Sequence, residues 1–204
     1  MDRHESVQAP QMDAAGEARF VRAFVAVGLA DDLRTALVAA IDRLRSSPAR
    51  VTWVPGENLH LSLVFLGDIP VARIPDLAAA ADASLAGQAP MSARVSGLGT
   101  FGPPRSPRVV WAGVEAAPLL IDLQARLANG FRALGLRRED RPFHPHITLG
   151  RVKAPTHCAD LSRRIARIGE TAFGVLPVND VLLLRSELRP EHATYSPMHI
   201  SPLR

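Results

Sequence analysis

The sequence predicts an α+β fold, and three observations support this class. Short apolar runs typical of strands alternate with amphipathic helical segments along the 204 residues. Several strand segments are joined by turns too short for a crossover helix, so those strands should pair antiparallel. The helices recur at intervals rather than after every strand, which favours α+β over a doubly wound α/β sheet. The sequence contains no P-loop pattern, which argues against a nucleotide fold of that kind.

The individual elements follow from the spacing of apolar residues. Residues 19–29 form a near-continuous apolar run that suits a buried central strand, and a helix follows whose apolar stripe ends before Pro48. Residues 1–18 are polar and are predicted to form a disordered tail, which leaves residues 19–204 as a single domain. The first helix places Leu33, Leu37, Ile41 and Leu44 on one face, and further helices are predicted at residues 72–85, 119–134 and 158–168. Strands are also predicted at residues 51–54, 58–66, 91–99, 108–114, 147–152, 173–176, 181–188 and 194–200.

Composition and charge restrict the class of protein. The 24 basic residues exceed the 20 acidic ones, giving a net charge of +4 that is compatible with a phosphate-bearing partner without establishing one. One cysteine, Cys158, can form neither an internal disulfide nor a cysteine-based zinc site. The sequence has no apolar run of the roughly 20 residues that span a bilayer and no export signal, so we expect no membrane contact and a cytoplasmic location.

Two short segments of the chain resemble each other. His60-Leu61-Ser62-Leu63 and His146-Ile147-Thr148-Leu149 both read histidine, aliphatic residue, hydroxyl residue, leucine, and each follows a helix. Because strand side chains alternate between faces, His60 and Ser62 should share one face, and so should His146 and Thr148. The aliphatic residues should then anchor the opposite face in the core. A single copy of this pattern carries no information, but two copies in matched contexts predict two lobes that share a cleft.

Two histidines and two hydroxyls suffice for acid–base chemistry without a metal. Imidazole titrates near neutral pH, so one ring can accept a proton while the other donates one. The hydroxyls of Ser62 and Thr148 can donate hydrogen bonds to the oxygens of a phosphate. This combination fits in-line cleavage of a phosphodiester, although the near-symmetric motifs leave open which histidine is the acid.

Other candidate residues carry weaker signals. His144 shares strand parity with His146, but no third ligand stands near them, so we predict no metal site and no cofactor. Arg105 and Arg108 lie at a proline-rich loop. Their side chains could touch RNA phosphates, or the loop could simply be solvated. Trp111 is expected in the core. Four other aromatic residues could stack on a nucleobase, although aromatic residues in strands more often lie in the core. They are Phe24, Trp53, Phe65 and Phe143.

The residues from about 22 to the C-terminus resemble the 2H phosphoesterases, specifically the RNA 2',3'-cyclic phosphodiesterases, also called 2'-5' RNA ligase-like proteins. Besides the paired motifs, the resemblance rests on Trp53-Val54-Pro55, Phe65-Leu66-Gly67 and the run from Arg141 through Arg151. A further match is Leu184-Arg185-Ser186-Glu187-Leu188. In this family the first motif usually has threonine where this chain has Ser62, which keeps the hydroxyl and loses the methyl group.

The resemblance implies a bilobal α+β fold, with antiparallel sheets flanked by helices and two pseudo-symmetric lobes around a central cleft. It implies hydrolysis of terminal 2',3'-cyclic phosphates on RNA, tRNA fragments among them, to a 2'-phosphate, with 2'-5' ligation as the reverse chemistry. By resemblance His60 is the proton donor and His146 the proton acceptor, while Ser62, Thr148 and Arg151 hold the phosphate. A cleft built from one chain predicts a monomer.

Three alternatives to this function stay open at the level of sequence. A related enzyme acting on another cyclic phosphate or a 2'-5' oligonucleotide would use the same motifs. A non-catalytic module that binds RNA ends could retain the fold, although the presence of both histidines disfavours it. An accidental repeat in an unrelated α+β protein would place His60 and His146 far apart.

Overall fold

The computed structural model describes residues 19–103, 105–115, 118–136, 142–188 and 192–204. The predicted tail at residues 1–18 lies outside the described residues. The strands are β1 (Phe20–Gly28), β2 (Val51–Trp53), β3 (His60–Pro70), β4 (Met91–Phe101), β5 (Val109–Val114), β6 (His146–Val152), β7 (Ala172–Val178), β8 (Asp180–Leu188) and β9 (Ala193–Pro202). The α-helices are α1 (Asp31–Arg45), α2 (Ile74–Leu85), α3 (Pro118–Ala133) and α4 (Cys158–Ile168).

The strands form one antiparallel sheet in the order β7-β4-β5-β6-β3-β1-β8-β9. Its two halves, β7-β4-β5-β6 and β3-β1-β8-β9, meet where β6 pairs with β3. The predicted α+β class and the antiparallel pairing are confirmed, and the two predicted lobes are halves of a single continuous sheet. β2 pairs with β6 rather than with β3, although only a short turn separates β2 from β3 in the chain.

The halves repeat one arrangement of elements. In the first half, β1 is followed by α1 and then by β3, which pairs with β1. In the second half, β5 is followed by α3 and then by β6, which pairs with β5. The two repeated motifs therefore begin equivalent strands, β3 and β6, as the sequence repeat predicts.

All four helices contribute to one hydrophobic core on one face of the sheet. The alternating residues Val21, Ala23, Val25 and Val27 of β1 are buried in this core. The predicted stripe of α1 is fully buried against it, because the apolar residues recur at helical spacing on the side that faces the sheet. Each other helix adds its own leucines, among them Leu77, Leu120 and Leu161.

The opposite face of the sheet carries a second, much smaller buried cluster, which contains Phe24, Ala26 and Leu184. We call this the open face. The side chains of the open face are therefore free to line a site. Within the described residues, no helix is long and apolar enough to cross a membrane.

Candidate active site

The two predicted motifs lie side by side in the centre of the sheet. Leu61 of β3 is the antiparallel partner of Ile147 of β6, and both side chains are fully buried in the core. The residues directly before and after Leu61 and Ile147 in their strands therefore point to the open face. These four partly exposed residues are His60, Ser62, His146 and Thr148. The antiparallel register brings each histidine toward the hydroxyl residue of the other strand.

His60 is held at both of its ring nitrogens. Nδ1 lies 2.7 Å from the backbone oxygen of Asn58, and since a carbonyl only accepts, Nδ1 carries the proton and donates. Nε2 lies 2.9 Å from Oγ of Ser62. The ring is also flanked by Phe24 at 5.0 Å and by Tyr195, whose ring meets it edge-on at 5.2 Å and 89°. These contacts fix the ring plane and direct Nε2 toward the hydroxyl of Ser62.

His146 repeats this geometry in the other half. Its Nδ1 donates to the backbone oxygen of His144 over 2.7 Å, again from the residue two positions earlier. Phe101 of β4 meets the ring edge-on at 4.8 Å and 90°, as Tyr195 meets His60. The same tautomer is therefore selected in both halves, with both Nε2 atoms available for proton transfer.

Both histidines favour the neutral form in the free protein. Burial is the largest cause that lowers the pKa of His60 below its ordinary value of 6.5; the Asn58 carbonyl opposes this effect, and the charges of His146 and Arg151 add to it. Burial also lowers the pKa of His146, with the His144 carbonyl opposing and the charges of His144 and Arg151 adding. The charge of Arg151 thus acts on both rings.

A β-bulge in each motif strand changes which later residues face the site. Leu149 has no partner on β5, where it falls between the pairs Val110–Gly150 and Trp111–Thr148, so alternation along β6 reverses after Thr148. Arg151 consequently points to the open face with His146, instead of toward the core. In β3, Leu63 is left unpaired in the same way, between the pairs Val25–Val64 and Ala26–Ser62.

The equivalent bulges make Phe65 the counterpart of Arg151. Each is the fifth residue after its motif histidine, and each is exposed on the open face. Phe65 stacks against Phe24 at 6.2 Å. The two halves therefore share their histidines and hydroxyls but differ at this position, which is cationic in one half and apolar in the other.

Three aromatic residues occupy places that the sequence did not identify. Tyr195 and Phe101 pack on the two histidines, and no pattern around either residue signals this role. Trp111, which we expected in the core, instead shares the open face with Thr148, its partner across β5 and β6. Its indole lies over Gly99 and contacts Phe101 at 5.4 Å, because a residue without a side chain leaves room for the ring.

The remaining sequence candidates are spread over several environments. Of the four aromatic stacking candidates, Phe24 and Phe65 lie on the open face, while Trp53 and Phe143 pack against the main core. The side chain of His144 is exposed. No group of three or more His, Cys, Asp or Glu side chains among the described residues is arranged to hold a metal ion.

Comparison with known families and proteins identifies relatives along most of the chain. Residues 33–189 match the family described as the 2'-5' RNA ligase superfamily. A protein of Methanothermobacter thermautotrophicus named RNA 2',3'-cyclic phosphodiesterase is 38% identical over 180 residues, which cover 88% of this chain and 97% of that protein. A protein of Thermus thermophilus with the same name is 38% identical over 197 residues, which cover 90% and 91% of the two chains.

Solved structures agree with these relatives. A crystal structure of a Thermus thermophilus protein matches with a TM-score of 0.75 and 36% identity, covering 90% of this chain and 98% of that one. The crystal structure of E. coli LigT complexed with 3'-AMP matches with a TM-score of 0.73 and 26% identity, covering 91% and 99%. The fold described above is thus shared with these proteins over nearly their whole length.

Proposed function

The chain belongs to the 2'-5' RNA ligase superfamily, and we propose that it hydrolyses the 2',3'-cyclic phosphate at RNA ends to a 2'-phosphate. The observation that carries this proposal is the placement of two equivalent histidines, each with Nδ1 bound to a backbone oxygen, beside two hydroxyls on one open face. The names of the Methanothermobacter and Thermus relatives support the choice of substrate.

In the proposed reaction, His146 acts as the base and His60 as the acid. Nε2 of His146 removes a proton from water as the water oxygen attacks phosphorus. The P–O3' bond breaks, and His60 donates its Nε2 proton to the departing 3' oxygen. One water is consumed, and the histidines then exchange their protons with solvent. Ser62, Thr148 and Arg151 donate hydrogen bonds to the phosphate oxygens as negative charge develops there.

Two features support this assignment of roles. The lowered pKa of His146 keeps its ring neutral before the attack, which a base requires. His60 is enclosed between Phe24 and Tyr195, so it is the less open of the two rings to attacking water. The pKa of His60 is lowered in the free protein as well, so the charge of the bound phosphate must raise it for the ring to act as an acid.

A 5'-hydroxyl in place of the water would give a 2'-5' linkage by the same two proton transfers. The name of the superfamily supports this ligation as a second activity of the same site. We also propose that residues 19–204 act as one monomeric unit, because both halves of the site come from a single chain. The cytoplasmic location stays a prediction.

The proposal is tested with an oligonucleotide ending in a 2',3'-cyclic phosphate, incubated with the protein in EDTA. The product is compared by chromatography and mass with authentic 2'-phosphate and 3'-phosphate standards. Wild type should release the 2'-phosphate, and His60→Ala and His146→Ala should each lose roughly three or more orders of magnitude in rate. The matched control is His157→Asn, which alters an exposed histidine at the start of α4 and should keep full activity.

Two results would overturn the proposal. One is a wild-type protein that does not turn over the cyclic phosphate, and the other is turnover that survives both histidine substitutions. Release of a 3'-phosphate would contradict the assignment of the bond that is cleaved.

A further inference from the structure

The open face continues beyond the histidines in two directions. Because β3 and β6 are antiparallel, the two strands leave the Leu61–Ile147 pair toward opposite ends of the sheet. Each direction offers a path along which a chain attached to the cyclic phosphate could leave the site. The residues along the two paths differ in charge.

The path along β6 is cationic. After the bulge at Leu149, Arg151 points to the open face, and Val152 returns to the core, so Lys153 follows Arg151 on the open face. Arg50 immediately precedes the neighbouring strand β2, and its backbone oxygen accepts a 2.8 Å hydrogen bond from the N–H of Lys153. We call Arg50, Arg151 and Lys153 the basic track. All three residues are exposed.

The charges of the basic track are available to a ligand. In the part of the chain that the structure describes, no carboxylate forms an ion pair with Arg50, Arg151 or Lys153. Most ion pairs among the described residues join neighbouring turns of a helix, whereas the three cations of the basic track form none with the carboxylates described there. At about 3.3 Å per residue, the track extends roughly 15 Å beyond Thr148.

A pocket lies at the end of this track, at the outer edge of β2. Its volume is about 400 Å³, and its lining includes Arg50, Thr52 and Lys153 together with Arg45. Arg45 also contacts Asp42 over 3.2 Å on the solvent side of α1. Three cations therefore converge on one concave surface that is continuous with the catalytic face through Thr52, the strand partner of Arg151.

The path along β3 is aromatic and of mixed charge. Phe65 takes the place of Arg151, and Asp68 lies beyond it on the open face, opposite Arg22 of β1. Phe20 at the end of β1 is exposed as well. A polyanion leaving in this direction would meet aromatic rings, a carboxylate and one cation, Arg22, instead of a row of three cations.

We propose that the basic track binds the sugar-phosphate backbone on the 5' side of the cyclic phosphate, so that the preferred substrate is an oligonucleotide rather than a free cyclic nucleotide. This proposal rests on the proposed function. Neutralisation of backbone phosphates by lysine and arginine releases counterions, which makes such binding independent of sequence and sensitive to salt. A cationic groove that follows the backbone is the usual way in which single strands are held.

The test compares two substrates in one set of variants. Arg50→Gln/Lys153→Gln removes two charges of the track, both outside the motif residues. At low salt its kcat/KM should fall about tenfold or more for a pentanucleotide ending in a 2',3'-cyclic phosphate, and should not change for 2',3'-cyclic AMP. The slope of log affinity against log salt concentration should fall by about 0.7 per charge removed. The matched control is Arg22→Gln, on the open face of the β3 path, which should leave both substrates unaffected.

Binding is measured independently of turnover, by fluorescence anisotropy of a labelled pentanucleotide ending in a 2'-phosphate. If wild type hydrolyses neither substrate, the proposed function fails, while this binding measurement still tests the track. Equal losses for both substrates, no loss of pentanucleotide binding, or an equal loss in Arg22→Gln would overturn the proposal.

Discussion

Leu61 and Ile147 are cross-strand partners at the junction of the two halves of the sheet, and both are fully buried. This one pair anchors both motif strands, and it places the two histidines and the two hydroxyls together on the open face. The site is therefore a consequence of the same packing that joins the halves. Each functional side chain is next to a core residue, which leaves little freedom for the distance between the motifs to vary.

The hydroxyl of Ser62 gives the first prediction. Ser62→Ala should lower kcat about 100-fold, because it removes one donor to the phosphate together with the contact to Nε2 of His60, whose ring stays held at Nδ1. Ser62→Thr should keep activity near the wild-type level, since it retains the hydroxyl and restrains its rotamer. Steady-state kinetics of both variants on the same oligonucleotide test this, and equal losses in the two would contradict a role for the hydroxyl.

Arg151 gives a prediction about pH. Its positive charge disfavours the imidazolium forms and contributes to the lowered pKa of both His60 and His146. Arg151→Gln should therefore raise both pKa values, and the bell-shaped profile of kcat/KM should shift toward higher pH on both limbs. Arg43→Gln, on the solvent side of α1, serves as the control and should leave the profile in place. A lower maximum of kcat/KM with both limbs at their wild-type pH values would show that Arg151 acts only through phosphate binding.

The case of Arg151 also shows how far the sequence predicts this site. Simple alternation after His146 would place Arg151 with Ile147 and Leu149 in the core, and only the bulge at Leu149 returns it to the open face. The motifs themselves were predictable, because a two-residue period and buried leucines specify which face the histidines occupy. Bulges, in contrast, depend on the pairing of β3 with β1 and of β6 with β5. The sequence of one strand does not reveal which strands it pairs with.

The contacts of Tyr195 with His60 and of Phe101 with His146 could not be predicted from the sequence for a related reason. Tyr195 lies 135 residues beyond His60, and Phe101 lies 45 residues before His146. Their contacts depend on the order of strands in the sheet, where β5 separates β4 from β6, and where β1 and β8 separate β9 from β3. Helix positions, which depend on local periodicity, were by comparison predicted closely, including residues 158–168 for α4.

Gly99 gives a prediction about packing near His146. A Cβ at this position would lie 2.2 Å from the indole of Trp111, so Gly99→Ala must displace that ring and, with it, Phe101. We expect a loss of about 1–3 kcal/mol in the free energy of unfolding and a lower kcat, since Phe101 packs on His146. Chemical denaturation and kinetics measure the two effects. Gly99→Ala/Trp111→Leu should recover part of the stability, and strictly additive losses would show that the two residues are not coupled.

The buried histidines give a final prediction, about stability at acid pH. The folded pKa of each ring lies below its ordinary value of 6.5, so the unfolded chain binds protons more readily than the folded one. The free energy of unfolding should therefore rise with pH up to about 6.5, and should be progressively lost as the pH falls below that value. The carboxyl pKa of Asp82 is lowered from 3.8, so its contribution is lost only at lower pH and does not overlap this range.

Urea denaturation between pH 4.5 and 7.5 measures this dependence. His60→Asn should flatten the slope of stability against pH in this range, and His60→Asn/His146→Asn should flatten it further, because each substitution removes a group that must be buried in its neutral form. The absolute stability of the variants is not the relevant quantity, since asparagine also changes packing against Phe24 and Phe101. A double variant with the same slope as wild type would mean that neither histidine is held neutral by the fold, and the proposed base would then have to lose its proton by some other means.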